Sequence, residues 1–93
     1  MFDEKEEQLI NMGNSAEALL NTEVFTQTVN TMVDGSFQAF CNSKPEETAV
    51  RERTYNHYRA LVDIVSTLQQ RVAIKDEIVA KATSDSDNNQ EDA

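Results

Sequence analysis

Between Thr54 and Val79 the chain steps through apolar positions at alternating intervals of four and three. Thr54, Tyr58, Leu61, Val65, Leu68, Val72, Lys75 and Val79 form a seam of more than three heptads, mostly apolar. That is the pattern of a helix that packs along its length against another helix. Tyr55, Val62, Ile64 and Ile78 widen the stripe. The spacing predicts a long helix over about 46–81, with Pro45 at its first position and Glu46 and Glu47 in its first turn. Proline is tolerated there, and carboxylates favour the positive end of the helix dipole.

Upstream, Phe25, Val29, Met32, Val33, Phe37 and Phe40 recur at spacings of three and four, predicting a second helix over about 23–41 that is capped at Thr22. Gly35 falls inside it. A mid-helix glycine costs about 1 kcal/mol relative to alanine, so either a neighbour approaches closely there or the helix is locally weak. A first helix is predicted over about 3–20, with Phe2, Leu9, Ala16 and Leu20 on one heptad-spaced stripe. Asp3 followed by Glu6 resembles a capping box at its start. Gly13-Asn14-Ser15 is its weakest stretch, where a kink or break is expected.

With two glycines and one proline in the whole chain, tight turns between strands are not provided for, and the fold class is all-α. At 1.5 Å per residue the third helix would be about 54 Å long, the second about 28 Å and the first about 27 Å. The first two laid end to end match the third, so the candidate architectures are a long antiparallel helical hairpin and a three-helix unit. Residues 1–82 are read as one helical domain. Residues 83–93 have no apolar side chain other than the terminal Ala93 and are expected to form a disordered acidic tail. Leu68 and Phe37 are expected to lie in the core, where truncation to alanine would cost about 2–5 kcal/mol.

Composition narrows the function classes. The 93 residues carry 8 Lys and Arg against 17 Asp and Glu, a formal net charge of −9. Bulk attraction to phosphate backbones is therefore disfavoured, because that affinity comes from basic side chains displacing counterions. Most of the negative charge sits at the ends, −3 in residues 1–7 and −4 in residues 83–93, around a nearly balanced body. This layout argues against a mimic of DNA, which needs acids fixed on an ordered surface. The lone Cys41 and the lone His57 offer neither an internal disulfide nor a zinc site, and neither has a base or nucleophile placed beside it. No glycine-rich phosphate loop or calcium-binding spacing occurs, and the neighbouring carboxylates Glu46/Glu47 and Asp76/Glu77 splay apart on a helix. No catalytic residue, metal or cofactor is assigned, and a non-enzymatic role is expected. The charged N-terminus and the interrupted apolar stretches predict neither a signal peptide nor a membrane span.

Two surfaces are candidates for partners. The first is a helix-packing or oligomer face of Tyr58, Leu61, Val65, Leu68, Val72 and Val79 on the third helix, with Phe25, Val29, Met32, Phe37 and Phe40 on the second. Two helices shield only one side of each other, and a chain this short is marginal alone, so self-association is expected. The second is a polar patch of Arg51, Arg53 and Arg59, set among Glu46, Glu47, Glu52 and Asp63.

The stretches Ala16-Glu17-Ala18-Leu19-Leu20-Asn21, Val24-Phe25, Lys44-Pro45-Glu46-Glu47, Arg51-Glu52-Arg53 and Tyr58-Arg59-Ala60-Leu61 give the chain, over about residues 8–80, its likeness to known sequences. It resembles small helical proteins encoded by tailed bacteriophages, commonly among virion-structure and DNA-packaging genes. The resemblance implies a virion component or assembly factor that works through protein contacts in the particle or the host cytoplasm. It carries over no functional residue. The alternatives are an acidic phage inhibitor of a host enzyme and a DNA-packaging accessory factor using the three arginines.

Overall fold

The computed structural model describes the backbone of residues 1–92 and the side chains of residues 1–85. Three helices make up the chain: α1 Glu4–Leu20, α2 Glu23–Asn42 and α3 Thr48–Asp92. No strand occurs among the described residues, as the all-α reading predicts. The chain divides into two compact units. One joins Met1–Ala18 to Leu68–Ala93, and the other is Leu19–Thr67.

In the first unit α1 pairs with the C-terminal part of α3. A reciprocal capping box starts α1: the Glu6 amide donates to Asp3 Oδ1 at 2.8 Å and the Asp3 amide donates to Glu6 Oε1 at 3.1 Å. Two otherwise unpaired donors of the first turn are thereby satisfied. No kink follows at Gly13, which is buried within a continuous helix. The break expected from local propensity is overridden by packing. A Cβ on Gly13 would collide with the Lys75 side chain and lie 2.8 Å from the Arg71 carbonyl oxygen. Glycine is therefore the residue that lets α1 and α3 approach this closely. Ala16, one turn on, is only 3% exposed at the same crossing.

The second unit is a helical hairpin of α2 and the N-terminal part of α3. Phe37 meets Tyr58 while Phe40 meets Tyr55, so the pairing runs antiparallel. The connection uses the side chains that its sequence supplies. Ser43 caps α2, its amide donating to the Phe40 carbonyl at 3.2 Å. Glu47 then folds back, its Oε1 accepting the Lys44 amide at 2.8 Å while its own amide donates to the Lys44 carbonyl at 2.9 Å. Pro45 and Glu46 occupy the middle of this turn, so α3 starts at Thr48 rather than at 46. Proline's fixed φ suits the second position of a turn as well as the first turn of a helix.

The far end of α3 also departs from expectation. The helix does not stop at 81, because no glycine or proline follows Ala82 and the Thr83 hydroxyl donates to the Val79 carbonyl at 3.0 Å. Residues 83–85, assigned to the tail from composition, continue the helix. The rest of the expected tail, residues 86–93, lies outside the residues whose side chains are described.

Gly35 contrasts with Gly13. Nothing lies within 4 Å of a Cβ built there, so no neighbour requires it. Gly35→Ala is expected to stabilise the chain by about 0.5–1 kcal/mol through helix propensity alone, an increase of several degrees in Tm for a domain of this size. An unchanged or lower Tm would mean that this part of α2 is not helical in solution.

Candidate functional site

Along α3 Val50, Thr54, Tyr58, Leu61, Val65, Leu68, Val72, Lys75 and Ile78 are buried or half-buried, with Arg51, Val62, Ser66 and Ala82 half-buried beside them, so the seam follows the predicted rhythm as far as Lys75. Ile78 then takes the inward position assigned to Val79, which is 42% exposed. The two successive steps of three, Val72 to Lys75 to Ile78, turn the inward face by about 120° on an ideal helix, in the part of α3 that pairs with α1. On α2, Phe25, Val29, Val33, Ser36 and Phe40 are half-buried, whereas Met32 and Phe37 are 43% and 57% exposed. Phe37 is thus not the core residue that its spacing implied.

Little is buried in this chain alone. Among the described residues Leu61, at 7% exposure, and Ala16 are the buried hydrophobic side chains, and none falls below 2%. Large apolar groups remain in water, with Val24 at 73%, Tyr55 at 51%, Ile64 at 50% and Ile74 at 40% exposed. A folded domain ordinarily buries most of its large apolar side chains, and the area removed from water is its main source of stability.

An apolar surface groove lies in the second unit. Ser36, Phe37, Phe40, Tyr55 and Tyr58 line this open groove of about 230 Å³. Its walls are held by tilted ring pairs: Phe37 and Tyr58 at 6.5 Å between centroids, Phe40 and Tyr55 at 6.4 Å. These lie within the range where aromatic pairs attract beyond their buried area. The Arg51 guanidinium sits 4.8 Å from the Phe40 ring centroid, a cation–π contact with one of the lining rings.

The three arginines do not form a single patch. Arg51 is engaged with Phe40, Arg59 pairs with Asp63 at 3.2 Å on an exposed stretch of α3, and Arg53 is exposed. At 100° per residue Arg51 and Arg53 point to nearly opposite sides of the helix. Sequence proximity brought them together only on paper.

In the first unit the polar member of the seam is explained. Lys75 Nζ donates to Glu17 and also lies 3.8 Å from Asp76, with its side chain 14% exposed. The Glu17 hydrogen bond, reinforced by the charges of Glu17 and Asp76, raises the Lys75 pKa above its ordinary value and outweighs the opposing effect of desolvation. A lysine whose pKa is higher in the folded state adds stability that is fully present below its unfolded value, near 10.4, and is lost as pH rises through the folded value. Between pH 7 and 9 its contribution is therefore expected to be constant. Above about pH 10.5 the stability advantage of the wild type over Lys75→Met should shrink in urea melts, and an advantage that grows with pH there would contradict the pairing.

Among the described residues no group of three or more His, Cys, Asp or Glu is arranged to hold a metal ion. Among the same residues no helix is long and apolar enough to cross a membrane. Cys41 is an exposed free thiol. No protein-family model, curated protein or solved structure matches the chain.

Proposed function

We propose that the chain is a non-enzymatic helical interaction protein that completes its apolar packing by binding a second copy of itself, and that it serves in a bacteriophage particle or its assembly. The observation that supports self-association is the burial pattern. A chain in which Leu61 is the one large apolar side chain buried among the described residues, and with Phe37, Tyr55, Ile64 and Val24 at least half exposed, gains most by covering that surface with protein. Phage context rests on the sequence resemblance across residues 8–80. A protein partner also suits an acidic chain whose arginines are turned to different sides of α3.

Light scattering at tens of micromolar should give a mass at least twice the 10.5 kDa of one chain. A strict monomer would oppose self-association. For the phage assignment, the chain should travel with particles or their assembly intermediates through a density gradient at a fixed copy number. Its consistent absence from both would remove that context.

A further inference from the structure

We propose that the aromatic groove of the α2–α3 hairpin is the seat of a two-fold contact between two copies of the chain, Phe37 of each copy entering the groove of the other. This rests on the self-association reading and assigns it a surface.

The groove has the shape that such a contact needs. A two-fold interface uses one patch twice, so the patch must carry a projection and a recess side by side. Phe37 and Tyr55 project, 57% and 51% exposed, and they flank a recess of about 230 Å³. An apolar cavity of about 150 Å³ already accepts benzene, so a phenyl ring fits. Exposed aromatic anchors of this kind carry the larger part of binding energy in protein contacts, while a stable contact of about 800 Å² per partner extends along the flanking helix surfaces.

Charge selects the unit and the occupant. Met1–Ala18 with Leu68–Ala93 holds eleven acids and four bases, net −7, so two copies of that unit repel. Leu19–Thr67 holds six acids and four bases, net −2. Around the groove, charges of both signs have no ion-pair partner within the chain among the described residues. Arg51 is one; Asp34, one turn before Phe37, and Glu52, one turn before Tyr55, carry the opposite sign. A uniformly acidic or basic partner would answer only one of the two signs. A second copy supplies opposite charges to all.

The test compares Phe37→Asp with Val24→Asp, which introduces the same charge at the other end of α2 on a side chain 73% exposed. In sedimentation equilibrium at moderate salt, F37D is expected to raise the dimer dissociation constant at least about 30-fold, the loss typical of a hot-spot anchor. V24D should leave it nearly unchanged, with both variants checked for helicity by circular dichroism. Equal dissociation constants for F37D and V24D would overturn the groove as the seat while leaving self-association in place; a monomeric wild type would overturn both. Should F37D lose its helices, the unsubstituted chain decides through a nitroxide on Cys41, its one cysteine, one residue beyond Phe40. Seating at the groove puts the two labels within about 30 Å, given the rise and diameter of a helix, and dipolar spectroscopy showing only longer distances would overturn the seat.

Discussion

Leu61→Ala is expected to destabilise the chain by about 2–4 kcal/mol, the largest loss of any single truncation of a large side chain here. Leu61 sits at the centre of the α3 seam and is the one large side chain counted as buried, at 7% exposure. Its removal leaves a hole between α2 and α3 that few neighbours can fill, because most apolar side chains around it are already half in solvent. Against a total stability of about 5–15 kcal/mol for an ordinary domain, and less for one with so little buried, such a loss places the hairpin near its unfolding midpoint at room temperature. Urea melts followed by circular dichroism should show a large drop in midpoint. The same truncation at Ile64, which is 50% exposed, should cost well under half as much. Equal effects at the two positions would mean that the α2–α3 register is different.

Gly13→Leu is the second large effect, and its sign opposes local propensity. Leucine is a better helix former than glycine by about 1 kcal/mol, so an isolated α1 peptide should gain helicity. In the folded chain the new side chain has to enter space occupied by the Lys75 stem and the Arg71 backbone carbonyl. Neither can bend away, because the nearest lysine atom is its Cβ, fixed to the α3 backbone like the Arg71 carbonyl. Overpacking of this kind costs about 1–3 kcal/mol and would also separate Lys75 from Glu17. A lower Tm for Gly13→Leu beside a higher Tm for Gly35→Ala is the expected pair of results. Two increases would show that the close crossing of α1 and α3 does not form.

The two glycines mark the limit of what the residues reveal by themselves. Both look like weak points of a helix, and only the position of α3, 58 residues away in sequence at the Glu17–Lys75 contact, distinguishes a required glycine from a dispensable one. Helix type and approximate extent, by contrast, are written locally in the three-and-four rhythm of Phe25 to Phe40 and Thr54 to Lys75. Phe37 shows where that rhythm loses resolution. Its spacing is compatible with the buried face, yet the face is narrower than the apolar stripe, and the ring stands at its edge beside Tyr58. The groove needs two helices in register, which no single-helix pattern encodes. Pro45 likewise has two uses, and the Lys44–Glu47 hydrogen bonds decide between them.

Linkage between folding and self-association is the centre of this account, and thermal unfolding over a wide range of protein concentration measures it directly. If the exposed apolar side chains are covered by a second copy, the dimer is stabilised by mass action, and Tm should rise by several degrees between about 2 and 200 µM while the mass stays above that of one chain. A Tm independent of concentration across that range, with a mass of 10.5 kDa throughout, would contradict it.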